Sequence, residues 1–180
     1  MATSLIGPSF EVAKAFADLR LAGKAREFGL SNARPSFVAM IQKFMGMKLL
    51  VNQIELNLLH LDPLTDGTID QCLTEGMTPM AWSPLAGGRL VMNTPVELTD
   101  PLYARRAKLR ETIDMVARER ETTRGIVALA FLLKHPAGIV PIVGTTNQTT
   151  IRELVKATDL VLSREEWYRL LEAAVGHRLA

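Results

Sequence analysis

The chain has 180 residues, of which 48% are hydrophobic and 22% are charged, as expected for a globular domain or one large fragment. Its 21 basic and 19 acidic residues give a net charge of +2 without a basic run, so nothing favours a nucleic-acid partner. We expect no membrane span, because the longest apolar run falls well short of ~20 residues, and we see no signal peptide. Cys72 is the only cysteine, which excludes an internal disulfide and predicts a reducing, cytoplasmic location.

Helical and strand patterns alternate along the chain. In chain order they predict a helix (9–22), a strand (25–32), a helix (35–44), a strand (48–55), a short helix from residue 66 or 68, a strand (79–83), two helices (102–120 and 125–135), a strand (139–143), a helix from about 149 and a last helix (164–175). This alternation predicts right-handed βαβ units and a parallel sheet.

Several local signals predict where helices begin and end. Ser163–Glu166 has the pattern of a capping box, and Gly176 fits the C-terminal stop of the helix that follows. Asp100–Pro101 predicts an N-cap followed by a first-turn proline, and Thr122 is predicted to cap the next helix. The middle of that helix is apolar nearly all round, which indicates a buried helix.

Polar or glycine-rich residues follow every predicted strand at its carboxyl end. They are Ser31–Asn32, Gln53, Trp82–Ser83 with Gly87–Gly88, and Gly144–Thr146. In open α/β sheets and in barrels, ligands bind at that end of the strands. A ligand site is therefore one interpretation, and ordinary turns between strands and helices are the other.

The stretch from Gly138 to Glu153 illustrates both interpretations. A β-branched run passes through Gly144-Thr145-Thr146 into a helix start, where unpaired backbone N–H groups and the helix dipole favour an anion. The alternative is an ordinary turn in which threonine hydroxyls cap the helix.

Motifs for common catalytic chemistries are missing from the sequence. There is no GxGxxG or GxxxxGK[ST] after a strand, no HExxH, no Cys/His cluster that would hold a metal, and no GxSxG. His135 and His177 are expected to be structural or exposed, and His60 falls in a loop. Tyr103 and Tyr168 fall in predicted helices, and Cys72 stands at an apolar position of a short one, which favours a core residue over a nucleophile. Residues 84–90 are predicted to form a flexible loop, and residues 91–99 are predicted to be loop as well.

Five spaced motifs resemble the aldo-keto reductase family, and they cover nearly the whole chain. They are Gly23–Asn32 (GKAREFGLSN), Val51–His60 (VNQIELNLLH), Met80–Gly88 (MAWSPLAGG), Ile139–Thr145 (IVPIVGT) and Ser163–Tyr168 (SREEWY). Within the family, the chain resembles the bacterial YdhF-type oxidoreductases. The resemblance implies an α/β fold, a partial (β/α)8 TIM barrel in which residues 1–180 supply roughly strands five to eight with their helices, the C-terminal half.

The resemblance implies NADP as the cofactor and assigns residues to its nicotinamide end. Ser31, Asn32 and Gln53 match the positions that hydrogen-bond the nicotinamide carboxamide. Trp82 matches the aromatic residue that stacks on the nicotinamide ring, which would fix the face that accepts hydride.

The resemblance also assigns residues to the phosphate and adenosine end. Ser83, Leu85 and Gly87 match the loop that approaches the pyrophosphate. Thr145 matches a hydroxyl that meets the 2′-phosphate of NADP, and Glu153 matches an acid beside the adenine amine.

Two positions depart from the family pattern at this end. Thr150 stands where the family has an arginine that clamps the 2′-phosphate, and Leu154 replaces an asparagine that helps to bind adenine. Arg152 is near, but two residues along a helix turn through about 200°. NAD therefore remains an alternative to NADP.

The family's catalytic set is an Asp, a Tyr acid, a Lys that lowers the pKa of the Tyr, and a His, all in the first half of the barrel. The resemblance places none of them in this chain, and it implies no metal. A complete barrel of this kind typically has ~250 residues. We therefore expect the cofactor-binding half without the acid–base half.

Three hypotheses follow. The chain is an oxidoreductase of this family that reduces small-molecule carbonyl compounds with NAD(P)H, truncated and inactive alone. Alternatively, it is a non-catalytic nucleotide-binding half-barrel completed by a partner chain or a second copy, or it is an inactive remnant. Open strand edges near residues 26–30 and 139–143 predict self-association in the last two cases.

Overall fold

A computed structural model describes residues 9–93 and 99–179 of the chain. The elements are α1 (Ser9–Leu21), β1 (Gly29–Ser31), α2 (Pro35–Gln42), β2 (Val51–Glu55), α3 (Thr68–Glu75), β3 (Thr78–Trp82), α4 (Tyr103–Glu119), α5 (Arg124–Leu133), β4 (Val140–Pro141), α6 (Gln148–Val155) and α7 (Arg164–Val175). Each predicted helix and strand is present in the predicted order. The loop predicted at 91–99 falls partly on residues 94–98, which lie outside the described residues.

The strands form an α/β fold with a parallel sheet, as predicted. The strand order is β1-β2-β3-β4, and β1 pairs in parallel with β2, with Gly29 opposite Val51 and Ser31 opposite Gln53. Because the strand order follows the chain order, each connection joins neighbouring strands, as successive βαβ units require.

Two of the strands are shorter than predicted. β1 has 3 residues because the N–H groups of Lys24 and Ala25 donate to the carbonyl of Leu19 at the end of α1 rather than to a neighbouring strand. β4 has 2 residues, and one further bond beyond it joins the N–H of Ile142 to the carbonyl of Ala81 at 2.8 Å.

Two of the predicted helix caps are wrong. α4 begins at Tyr103 rather than at Pro101, because Asp100 turns the chain earlier: its carboxylate accepts the N–H of Leu102 at 2.8 Å. α5 is preceded by Thr123, not capped by Thr122, and Thr123 makes no side-chain capping bond.

Other helix ends differ less from expectation or match it. α2 ends at Gln42, before Phe44, because the Gln42 amide donates to the carbonyl of Met47 at 2.8 Å and holds the outgoing segment. The capping box from Ser163 to Glu166 and the left-handed Gly176 after α7 are confirmed.

The chain divides into two compact units, of which the first comprises the residues up to Ile54 together with Asp62–Met80. In this unit α1 packs against α2, and the rings of Phe16 and Phe28 stack with their centroids 4.4 Å apart. The buried core of the first unit consists of Ala33, Phe37, Val38, Ile41, Leu49, Cys72 and Met77. The prediction that Cys72 is a core residue is confirmed.

The second unit comprises Glu55–Leu61 together with the residues from Ala81 onward. Here α4 packs against α5 and α7, and residues 125–132 of α5 are all buried, as predicted. The Trp167 indole donates to the carbonyl of Phe131 at 2.9 Å, and the two rings stack. Across residues 9–93 and 99–179, we find no helix that combines the length and the apolar character that a membrane span requires.

An ion pair ties the start of α7 to the end of α4 within the second unit. Arg120 donates to both carboxylate oxygens of Glu166, at 2.6 and 2.7 Å, and Glu166 also accepts the N–H of Ser163 at 2.6 Å. The hydrogen bonds from Arg120, with a smaller contribution from Ser163, lower the pKa of Glu166 to about 2. The ionised carboxylate therefore stabilises the folded state.

Substituting Glu166→Gln should lower the free energy of unfolding by about 2 kcal/mol at pH 7, since part of the ion pair faces solvent. Because the folded pKa is depressed, the stabilisation is complete above about pH 5 and is lost as the pH falls towards 2. Urea unfolding followed by tryptophan fluorescence at several pH values measures this.

The matched control is Glu165→Gln, which removes a charge from the same turn of α7 at an exposed position. If both variants lose equal stability, or if the Glu166 effect persists at pH 2, the ion pair does not have this role.

Candidate functional site

In the first unit, the residues after β1 and those of β2 lie side by side. The Ser31 hydroxyl donates to the carbonyl of Gln53 at 3.1 Å, and the N–H of Asn32 donates to the same oxygen at 2.8 Å. Ser31 and Asn32 are exposed, and Gln53 is half-buried. The structure thus brings together the three residues predicted to meet a carboxamide, although their contact with a ligand stays a prediction.

A buried asparagine, which the sequence did not reveal as part of this arrangement, holds the turn after β1. The Asn52 side chain donates to the carbonyl of Ala33 at 2.8 Å and accepts the N–H of Ala33 at 3.2 Å. Asn52 is 0% exposed, and through these two bonds both its side-chain oxygen and its nitrogen have a partner within the protein. The available signal was a polar residue at a buried position of an alternating strand, since Asn52 shares its face with Ile54.

The turn also depends on a close approach between β1 and β2. A Cβ at Gly29 would lie 2.2 Å from Cγ2 of Val51 and 2.8 Å from its carbonyl oxygen. Only glycine fits there without moving the strands apart. Asn32 itself has a φ of 50°, a left-handed conformation that asparagine adopts more readily than most residues.

In the second unit, a second asparagine has the corresponding role after β3. The Asn57 side chain donates to the carbonyl of Ser83 at 3.1 Å and accepts the N–H of Leu59 at 2.9 Å. Two backbone hydrogen bonds between Asn57 and His60, at 3.1 and 2.9 Å, close a separate tight turn at residues 57–60. That turn lies within the stretch predicted as loop. Ser83 has a φ of 52°, and Trp82 before it is half-buried.

The glycine-rich segment that follows was predicted to be a flexible loop, but it forms a compact 3-10 turn, Ala86–Gly88. Its residues are left-handed, with φ values of 53° at Ala86, 64° at Gly87 and 91° at Gly88. The N–H of Gly88 donates to the carbonyl of Leu85 at 2.9 Å, and the Arg89 side chain donates to that of Ala86 at 2.9 Å. No atom lies within 4 Å of a Cβ built at Gly87, so the space beside its backbone is open.

The turn before α6 is organised by Thr145 and Asn147. The Thr145 hydroxyl accepts the N–H of Asn147 at 3.2 Å, and the Asn147 side chain accepts the N–H of Thr150 at 3.1 Å. The cap of α6 is therefore an asparagine rather than one of the threonines. Thr145 is half-buried, and its predicted role at a phosphate stays a prediction.

A cleft of about 480 Å³ in the second unit brings two of the predicted residues together, Leu85 and Glu153. Thr150 lies on its wall beside Glu153, and Leu154 contributes apolar surface. The other predicted residues of this unit do not line it, among the residues that the structure describes. These are Trp82, Ser83, Gly87 and Thr145.

Arg124, which the sequence did not single out, also lines this cleft. Its guanidinium donates to both oxygens of Asp114, at 2.5 and 3.0 Å, and to the side chain of Asn93 at 3.0 Å. It also donates to the carbonyl of Met92 at 3.2 Å. Arg124 therefore holds Met92 and Asn93 in place, and Asn93 forms part of the cleft wall. An arginine at the start of an apolar helix gives no sign of this in the sequence.

The remaining titratable candidates lie away from the strand ends. Burial lowers the pKa of His135, whose ring accepts the N–H of Ala137 at 3.2 Å just after α5. Burial raises the pKa of Cys72 inside α3, which disfavours the thiolate. Tyr103 and Tyr168 lie in α4 and α7.

Comparisons with known proteins agree with this architecture. The Aldo/keto reductase family model matches residues 4–174 of the chain. A 6-dehydroglucose reductase of Novosphingobium aromaticivorans is 37% identical over 175 residues, which cover 97% of this chain and 55% of that protein. Oxidoreductase YdhF of Escherichia coli is 35% identical over 167 residues, covering 93% of this chain and 53% of that protein.

Solved structures show the same fold. A thermostable aldo-keto reductase, Tm1743, crystallised with the inhibitor epalrestat, superposes with a TM-score of 0.79 at 26% identity, covering 93% of this chain and 55% of that one. Aldose reductase from Giardia lamblia gives a TM-score of 0.73 at 23% identity, covering 97% of this chain and 53% of that one, and supports the fold alone. The chain spans about half the length of the curated relatives that it matches. It belongs to the Aldo/keto reductase family.

Proposed function

We propose that this chain binds NAD(P)H, which members of the family generally use, and that the protein to which it belongs reduces carbonyl compounds. The observation that carries this proposal is the cleft of about 480 Å³ in the second unit. Its volume lies in the range of small-molecule sites, and an acid and apolar side chains share its walls.

The cleft suits the adenosine end of the cofactor. Leu85 and Leu154 offer apolar surface to a flat base, and the Glu153 carboxylate can accept hydrogen bonds from an exocyclic amine. Glu153 is half-buried, so solvent competes only partly for such a bond.

The turn at Ala86–Gly88 suits a pyrophosphate. Consecutive left-handed residues curve the backbone, and the open space beside Gly87 would let phosphate oxygens approach main-chain N–H groups closely. A side chain at Gly87 would occupy that space and would strain the backbone, because its φ is 64°. Ser83 would add a hydroxyl group to this end of the cofactor, whereas Thr145 would place its hydroxyl near the 2′ position of the adenosine ribose.

In the first unit, the exposed Ser31 and Asn32 beside Gln53 suit a carboxamide, which both donates and accepts hydrogen bonds. In the second unit, half-buried Trp82 at the end of β3 suits a stacking role against the nicotinamide ring. When bound, the cofactor supplies hydride, and the role of these residues is to orient it.

For the substrate we propose a small carbonyl compound. Relatives in Novosphingobium aromaticivorans and in Agrobacterium fabrum are named 6-dehydroglucose reductases, and the second is 34% identical to this chain. We also propose that the four strands take the places of strands five to eight of the family's barrel. Both tyrosines of the chain lie in helices, so the proton for the carbonyl oxygen would come from residues outside it.

A second candidate role is to complete a barrel with another chain or another copy. β1 and β4 are the end strands of the described sheet, and outer strand edges can accept a further strand. If a second copy completes the barrel, sedimentation of the 180-residue chain should show concentration-dependent dimers, and a monomer at all concentrations would exclude completion by a second copy.

Titration of the chain with NADH or NADPH should quench tryptophan fluorescence, with saturation in the micromolar to low millimolar range. Trp82→Leu should abolish most of that quenching, whereas Trp167→Phe, which changes the ring stacked on Phe131, should retain it. Consumption of either cofactor with a panel of aldehydes should stay at background.

Absence of any response to both cofactors up to several millimolar would exclude the proposed binding. Rapid turnover by the 180-residue chain would show that the proton donor lies within it.

Substitutions of two neighbouring side-chain amides of β2 should distinguish a residue that holds the turn after β1 from a residue that binds the cofactor. Asn52→Leu should destabilise the chain by about 2–3 kcal/mol, because it leaves the buried N–H and carbonyl of Ala33 unpaired. Gln53→Leu changes the next residue, whose side chain faces the other side of the strand, and should lower cofactor affinity with little effect on unfolding. Equal stability losses in the two variants would show that Asn52 does not hold the turn.

A further inference from the structure

We infer that the cleft selects against a phosphate on the adenosine ribose, so that the chain binds NADH more tightly than NADPH. This inference rests on the proposed function, since it assigns the adenosine end to the cleft. It depends on the charges of the residues that line the cleft and on the hydrogen bonds and ion pairs that these residues already make.

Among residues 9–93 and 99–179, the cleft offers a 2′-phosphate no available cation. Among the described residues that line it, Arg124 is the only basic one. The two oxygens of Asp114 engage its guanidinium at 2.5 and 3.0 Å, and a third nitrogen donates to Asn93 and Met92. A phosphate would have to break this bidentate pair or bind beside an arginine whose charge is already compensated.

The wall beside Arg124 is acidic rather than basic. Glu153 places a carboxylate in the cleft, and Thr150 beside it carries a neutral hydroxyl. A phosphate monoester adds about 1.5 to 2 negative charges at neutral pH. Brought next to Glu153 without a new cation, those charges would be repelled, whereas a 2′-hydroxyl would be neutral and could donate to the carboxylate.

The two cations of α6 and the N–H of Thr150 do not change this balance. Arg152 and Lys156 are exposed, and neither is among the described residues that line the cleft. Arg152 lies two residues after Thr150, about 200° around the helix. At the start of α6, the N–H of Thr150 already donates to the Asn147 cap at 3.1 Å, so it cannot serve a phosphate.

Equilibrium titrations of the 180-residue chain with NADH and with NADPH test the inference directly, by isothermal calorimetry or tryptophan quenching. We expect the Kd for NADH to be lower by about three- to tenfold, the size of an unfavourable charge contact of this kind. The same order should hold for 5′-AMP against adenosine 2′,5′-bisphosphate, which differ only in the 2′-phosphate and probe the adenosine end alone. Equal affinities or tighter NADPH binding would overturn the inference and leave the proposed function intact.

Binding of neither cofactor would instead exclude the proposed function, and the inference with it. The two failures are therefore distinguishable in one experiment.

Thr150→Arg should reverse the preference, because it puts an unpaired cation on the cleft wall. The affinity for NADPH relative to NADH should rise on the order of tenfold. The control is Thr149→Arg, the same substitution one residue earlier at an exposed position, about 100° around the helix. If both variants shift the ratio equally, general charge rather than this cleft is responsible.

Asp114→Asn tests the same idea without adding a residue to the cleft wall. Releasing Arg124 from its carboxylate should raise the affinity for NADPH several-fold, while NADH binding changes little and shows that the chain stays folded. Glu111→Gln removes an equal charge from an exposed position on the same helix and should leave the ratio unchanged. An unchanged ratio in Asp114→Asn would contradict the role assigned to the Asp114–Arg124 pair.

Discussion

Two buried asparagine side chains hold the turns that follow the strands, one in each unit. Asn52 bonds both the N–H and the carbonyl of Ala33, and Asn57 bonds the carbonyl of Ser83 and the N–H of Leu59. Each turn contains a left-handed residue that is not glycine, with φ values of 50° and 52°. Such conformations cost roughly 1 kcal/mol or more, so they persist only where the surroundings fix them. The positions of Asn32 and Ser83, two of the proposed ligand-binding residues, depend on these two amides.

The sequence predicted most of the fold because its signals are local. Helical periodicity, the capping box at Ser163 and the glycine after α7 depend on neighbours within a few residues, and all are confirmed. The length of β4 depends on pairing with residues distant in the sequence, such as the bond from Ile142 to Ala81, so it could not be predicted. The start of β1 was predicted too early because the N–H groups of Lys24 and Ala25 bond the end of α1 and not the sheet. The cap at Asp100–Pro101 was wrong because an aspartate before a proline also fits a turn that ends before the helix begins.

The sequence predicted some residues of the candidate site and missed others. Motifs pointed to the strand ends, and the structure brings Ser31, Asn32 and Gln53 together in the first unit, and Leu85 and Glu153 in one cleft of the second. Asn52 and Arg124 could not be found by motif, since each acts through partners distant in the sequence. The side-chain amide of Asn52 fixes the shape of a turn. The positive charge of Arg124 is compensated by Asp114, so the Glu153 carboxylate makes the cleft negatively charged. In the proposed function, cofactor recognition thus also depends on how Asn52 and Arg124 are paired within the chain.

The most direct test of this account is the backbone ¹H–¹⁵N NMR spectrum of the 180-residue chain, recorded during titration with NADH. The account predicts that the amide resonances that shift belong to Asn32, Gln53, Gly87, Thr150 and Glu153 and their immediate neighbours, with the outer helices α4 and α7 unaffected. Shifts confined to the outer helices, or an unchanged spectrum at saturating cofactor, would contradict it.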